Sequence, residues 1–69
     1  MDGLHLTVNG EPRELPPGSS VADLLARLGV RAEAVVVERN GEIVSREAHA
    51  STALADGDRV EIVRFVGGG

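Results

Sequence analysis

The chain contains no cysteine, lysine, tryptophan or tyrosine, and its one aromatic residue is Phe65. Each absence removes a class of chemistry. Without cysteine there is no disulfide to staple a small fold and no thiolate to act as nucleophile. Without lysine there is no side-chain amine to form a Schiff base or accept an isopeptide bond. A single aromatic ring leaves no stacking platform for single-stranded nucleic acid. The 7 basic residues, all arginine, against 11 acidic ones give a net charge of −4, the wrong sign for a phosphate-backbone binder. No apolar run is long enough for a signal peptide or a membrane span, and Met1-Asp2-Gly3-Leu4 offers no basic leader, so a cytoplasmic protein with neither nucleic-acid nor membrane partner is expected.

What remains is a chain of 69 residues, 42% hydrophobic, which is enough for one folded domain and too little for two. Its core must be small, since domains below about 70 to 80 residues rarely gain more than a few kcal/mol from burial.

Leu4, Leu6 and Val8 alternate with His5, Thr7 and Asn9, the pattern of a half-buried strand. Asn9-Gly10 supplies the positive φ values of a type I′ turn, so Glu11 to Leu15 returns antiparallel, at an edge because Pro12 cannot donate to a ladder. Pro16-Pro17-Gly18 ends that strand. Ser20 stands as an N-cap with Asp23 completing a capping box. Val21, Leu24, Leu25 and Leu28 follow at helical spacing, and Gly29-Val30 closes the helix as a Schellman motif. A helix of about 9 residues is too short to stand alone and must pack on a sheet.

Ala34 to Glu38, with three consecutive valines, reads as a strand buried on both faces, or one end of such a strand, Asn40-Gly41 as a second type I′ turn and Glu42-Ile43-Val44 as a brief return. From Ser45 to Ala53 no period is sustained, and a turn of 3₁₀ or short α structure is expected. Asp56-Gly57-Asp58 marks a tight turn. Arg59 to Val66 forms the last strand, with Val60 and Ile62 on one face and Val63 and Phe65 on the other. The order is β-β-α-β-β, an α+β mixed sheet whose single helix covers one face. Val63 and Phe65 are then left on an exposed patch, which on a small protein marks a protein-binding surface.

Candidates for catalysis within the chain are weak. Ser19, Ser20, Ser45, Ser51, Thr7 and Thr52 could pair only with His5 or His49, and no nucleophile elbow is present. The Glu47, His49 and Ser51 grouping reads as a solvated turn rather than a triad, and His5 as an exposed strand residue. Two isolated histidines without cysteine give no metal-ligand spacing, so no metal site is expected. A buried pocket of the size enzymes use, about 300 Å³ or more, would consume much of so small a core. An enzyme in its own right is not expected, nor a cofactor bound by this chain.

The C-terminal glycines are the remaining feature. Three of the 9 glycines are Gly67, Gly68 and Gly69, directly after a hydrophobic strand. A run of this kind is often a frayed terminus or a cloning scar. It also suits a narrow channel, because three residues without side chains extend about 10 Å and pass where no branched residue would. Gly69 would then deliver its α-carboxylate to another protein's active site. There an acyl-adenylate is the usual route to activation, and a sulfur nucleophile displacing AMP would leave a thiocarboxylate. A chain without cysteine cannot capture its own activated end.

These residues resemble the ThiS family of sulfur carrier proteins, within the ubiquitin-like β-grasp fold. The resemblance runs through Val8-Asn9-Gly10-Glu11, Val21-Ala22-Asp23-Leu24-Leu25, the stretch from Val36 to Arg46, Asp56-Gly57-Asp58-Arg59-Val60-Glu61-Ile62-Val63 and the terminal Gly68-Gly69. The chain departs from the family pattern at Ser45, where proline is common, and in the extra Gly67. The resemblance implies a β-grasp domain over residues 1–66 with a flexible tail at 67–69. It implies a carboxylate on Gly69 that a ThiF-type, E1-like adenylyltransferase activates with ATP and Mg. Sulfur mobilised by a cysteine desulfurase pathway would pass through this carrier to a ThiG-type thiazole synthase, for the thiazole of thiamine. Val63, Arg64, Phe65 and Val66 are the expected docking residues, with Gly67, Gly68 and Gly69 threading into the partner. A carrier serving molybdopterin synthesis or tRNA thiolation, or a non-carrier binding module, would share much of this pattern.

Overall fold

A computed structural model describes residues 3–65. Val66 and the tail from Gly67 to Gly69 lie outside the described residues. The elements are β1 (Leu4–Val8), β2 (Glu11–Leu15), α1 (Val21–Leu28), a 3₁₀ turn at Ala32–Ala34, β3 (Val35–Arg39), β4 (Glu42–Val44), a second 3₁₀ turn at Arg46–Ala48, and β5 (Arg59–Arg64). The strands form one sheet in the order β2-β1-β5-β3-β4. β1 runs parallel to β5, while the β1–β2, β3–β4 and β3–β5 pairs are antiparallel.

Both Asn-Gly pairs make the turns their chemistry favours. Asn9 and Gly10 have φ of 49° and 83°, and Asn40 and Gly41 have 53° and 87°, the left-handed pair that matches the twist of a two-residue hairpin. They pair Val8 with Glu11 and Arg39 with Glu42.

The helix is capped at both ends as its sequence directs. Ser20 Oγ accepts from the Asp23 N–H at 3.1 Å, and an Asp23 carboxylate oxygen accepts from the Ser20 N–H at 2.9 Å. The two remaining first-turn donors reach the segment after the second 3₁₀ turn, Val21 N–H to the Thr52 carbonyl and Ala22 N–H to the His49 carbonyl, both at 3.0 Å. At the other end Gly29 takes φ 72°, its N–H bonds the Ala26 carbonyl, and the Val30 N–H bonds that of Leu25.

The core lies between α1 and the sheet. Val21, Leu24 and Leu25 from the helix meet Leu6, Val8, Leu15, Val35, Val37 and Val60 from the strands, with Leu54 from the loop before β5. Val21, Leu24, Val37 and Val60 are fully buried. Among the described residues only one face of the sheet has a second layer, which corrects one expectation. β3 is flanked by β5 and β4 yet buried on one face only, Val35 and Val37 inside and Val36 half-buried outside. A run of three valines therefore marks an interior strand here, not a doubly covered one. β3 also begins one residue later than expected, because Ala34 belongs to the 3₁₀ turn.

A second correction concerns His49. The segment from Ser45 to Ala53 does contain a 3₁₀ turn, but His49 is buried at 5% exposure rather than solvated, with Nδ1 lacking a hydrogen-bond partner among the described residues. The helix N-terminus causes this, since bonding Ala22 through the His49 backbone draws the segment against α1 and carries the imidazole inward.

Candidate functional site

β5 ends at Arg64, short of the span to Val66 expected from sequence, and the alternation of the strand, carried one residue on to Phe65, sorts these side chains onto two surfaces. Val60 and Ile62 face the helix, while Val63 and Phe65 stand on the open face at 56% and 59% exposure. Register brings further residues to that face. Val36 lies opposite Val63, Glu38 lies between Glu61 and Ile43, and Ile43 is 69% exposed. The open face thus carries four apolar side chains, Val36, Ile43, Val63 and Phe65, beside the carboxylates of Glu38 and Glu61. Three of the four, Ile43, Val63 and Phe65, are the large hydrophobic residues left uncovered among the described residues.

Sequence reasoning singled out Val63 and Phe65 and missed Ile43 and Val36. The missing signal was register: Ile43 joins the patch only because the Asn40-Gly41 turn sets it opposite Glu38.

Arg64 is not part of this patch. By parity it falls on the helix side, where with Arg13 it lines a cavity of about 320 Å³ whose apolar wall includes Leu28, Val30 and Ile62. The docking group expected at residues 63–66 is therefore divided between two surfaces, with Val66 outside the described residues. At Phe65 the chain is held by its N–H, which bonds the Ala34 carbonyl at 2.9 Å. Gly67, Gly68 and Gly69 follow in sequence beyond the described region.

Two aspartates fix the turn that feeds β5. Asp56 accepts the His5 N–H at 2.7 Å and lies 3.3 Å from His5 Nδ1. That backbone donor first, and the imidazole second, hold the Asp56 carboxyl below the usual carboxylate range. Asp58 is buried, which by itself would raise its pKa. The Ala55 N–H at 2.8 Å, Arg39 Nε at 2.7 Å and Asn40 Nδ2 at 2.9 Å together outweigh burial and hold it low. Both are structural uses of charge.

No arrangement of nucleophile and base appears among the side chains named as candidates. Ser19 Oγ donates to the Pro16 carbonyl, while Ser51 Oγ and Thr52 Oγ1 each bond that of Ala48, and Ser20 is the helix cap. His5 is exposed on the outer face of β1, as expected. Among the described residues no three His, Asp or Glu side chains group as a metal site would need, and no helix is long and apolar enough to cross a membrane.

Comparison with known proteins agrees with this architecture. The model of the ThiS family matches residues 6–69. The sulfur carrier protein ThiS of Bacillus subtilis is 46% identical over 50 residues, covering 72% of this chain and 76% of that protein. A thiazole synthase of Paramagnetospirillum magneticum is 47% identical over 66 residues, 96% of this chain. The chain spans only 20% of the length of that synthase, and the same share of a second from Magnetococcus marinus. The crystal structure of the thiamine biosynthesis protein ThiS from Geobacter metallireducens superposes with a TM-score of 0.82 at 46% identity, covering 96% of this chain and all of that one. A family match over nearly the whole length, joined to a mixed five-stranded sheet with one covering helix, places this chain in the ThiS family of sulfur carrier proteins, built on the ubiquitin-like β-grasp fold.

Proposed function

We propose that this chain carries sulfur on its C-terminal carboxylate for the thiazole of thiamine, acting as a substrate of partner enzymes and not as an enzyme itself. The observation that carries this reading is the placement of Val63 and Phe65. The last strand, with Phe65 just beyond it, presents uncovered apolar side chains two residues before a sequence of three glycines. Such a strand offers a docking surface and a slender terminus along one line of chain.

The chemistry is acyl activation. In a ThiF-type adenylyltransferase, the Gly69 carboxylate attacks the α-phosphorus of ATP, with Mg bound by that enzyme, and pyrophosphate leaves. The terminal sulfur of a persulfide from a cysteine desulfurase pathway then attacks the acyl carbon and AMP leaves; a second thiol of that partner machinery cleaves the resulting acyl disulfide, forming a disulfide there and leaving a thiocarboxylate on Gly69. The steps use ATP, which the cytoplasm supplies, and we place them there. The chain's own contribution is docking through Val36, Ile43, Val63 and Phe65 and delivery of Gly67, Gly68 and Gly69 into the partner's channel. The similarity to one fifth of each of two thiazole synthases supports a ThiG-type acceptor, since a segment similar to this chain is part of polypeptides of that name.

Intact mass measurement of the protein from its own cells, with fragmentation to locate the change, tests the reading. One oxygen-to-sulfur exchange on Gly69 is expected. A terminus that stays a carboxylate when the activating enzyme, Mg-ATP and a sulfur donor are all supplied would overturn it. Deleting Gly69 should leave docking intact and abolish sulfur transfer. Rescue of a thiamine auxotroph separates this pathway from a carrier for molybdopterin or tRNA thiolation.

A further inference from the structure

We propose that Asn9 is a positioning residue for the reactive end of the chain, its side-chain amide replacing the strand that β5 lacks where it leaves the sheet. This rests on the carrier reading above.

β1 ends at Val8, which pairs with Val60, and the Asn9 N–H makes the last backbone bond of that ladder, to the Val60 carbonyl at 2.9 Å. β5 continues to Arg64 with no strand beside it on this flank. Asn9 has turned away into the left-handed region at φ 49° and cannot extend the ladder with its backbone. Its carboxamide does so instead. Oδ1 accepts the Ile62 N–H at 2.7 Å and Nδ2 donates to the Ile62 carbonyl at 3.1 Å. Both backbone groups of one residue are thus satisfied by one planar side chain, as a neighbouring strand would satisfy them. On the opposite flank β3 pairs as far as Arg64, and Ala34 receives the Phe65 N–H. Asn9 is the matching restraint on the β1 side, acting at Ile62, three residues before Phe65.

The turn alone does not require this amide, because glycine also adopts positive φ. Asn40, in the same conformation at the other Asn-Gly turn, provides an internal comparison. Its Oδ1 accepts the Arg59 N–H at 2.9 Å, clamping the start of β5 and not its exit. If the exit opens, only the fraction of molecules with β5 correctly directed can dock. The apparent affinity for the partner falls by that fraction, while turnover of the docked complex is unchanged.

The test measures pyrophosphate release by the full chain with a ThiF-type adenylyltransferase and Mg-ATP, alongside amide exchange and thermal unfolding. Asn9→Gly should raise KM for the carrier about three- to tenfold with kcat held within about twofold, and should speed exchange at Ile62 beyond any change in global stability. Asn9→Asp keeps the acceptor for Ile62 N–H and loses the donor, so it should recover part of the KM. Asn40→Gly should lower thermal stability at least as much, since Asn40 also holds Asp58, yet leave KM near that of the parent. A KM for Asn9→Gly equal to the parent's, or one that Asn40→Gly raises equally, would overturn the positioning role while the carrier reading stands. Failure of the unaltered chain to be adenylated would overturn the carrier reading first and this role with it.

Discussion

Arg39 Nε donates to an Asp58 carboxylate oxygen at 2.7 Å, joining the end of β3 to the turn that launches β5. The carboxylate is 7% exposed and the guanidinium 31%, so the pair is shielded on one side and wet on the other. Removing Asp58 would strand the Arg39, Asn40 and Ala55 donors together. Asp58→Ala should therefore cost about 2 to 4 kcal/mol, read from urea unfolding. The pH dependence follows from the direction of the shift. The folded carboxyl titrates below its ordinary value, so the network contributes fully above about pH 4, fades as the pH falls, and is lost below the depressed folded value. Asp58→Asn should flatten this acid limb of the stability curve. An unchanged limb would assign it to Asp56 or to other carboxylates.

Ser20→Ala should destabilise the fold by about 1 kcal/mol, since it removes the acceptor for the Asp23 N–H. In a domain of this size that lowers Tm by roughly 4 to 8 °C. Asp23→Ala breaks the reciprocal bond to the Ser20 N–H, and the double variant should lose less than the sum of the two singles, because the two bonds form one box.

Val63→Ser and Phe65→Ser test the open face. Both side chains are more than half exposed, so stability should stay within about 0.5 kcal/mol of the parent. Affinity for the activating enzyme, measured by calorimetry, should fall about tenfold or more for Phe65→Ser if that ring is the anchor of the interface. Ile43→Ser extends the test to the residue that register adds. Unaltered affinity in all three would move the docking surface elsewhere.

His49→Leu should be neutral or stabilising by up to about 1 kcal/mol, because leucine fills a similar volume without a buried unpaired nitrogen. The backbone of residue 49 keeps its bonds to Ala22 and Arg46 whatever the side chain. Destabilisation on urea titration would reveal a polar partner for the imidazole.

The local features of this fold were legible because they are written in neighbouring residues. Alternation marked β1, Asn-Gly pairs marked both hairpins, and Ser20-x-x-Asp23 with Gly29-Val30 marked the ends of α1. Parity along β5 correctly separated Val63 and Phe65 from Val60 and Ile62. The illegible part depends on distant partners. Nothing near Asn9 announces that its amide will meet Ile62, and nothing near His49 announces that its carbonyl will cap α1. The Ser45 to Ala53 stretch has no period because the helix N-terminus, not a repeating face, shapes it. Placement of Arg64 on the helix side followed from the same parity that exposed Val63, and grouping it by sequence proximity obscured that.

The position of β5 between β1 and β3 also has a mechanical meaning. Strands β1 and β5 run parallel while β3 runs antiparallel to β5, and the hydrogen bonds lie across the strand direction. Tension applied at Phe65 along the strand axis therefore loads both flanking ladders in shear, many bonds together, instead of peeling them one after another. A partner that draws the chain's end into a tight channel pulls along the axis on which this sheet resists extraction best, so the last strand can serve as both anchor and tether.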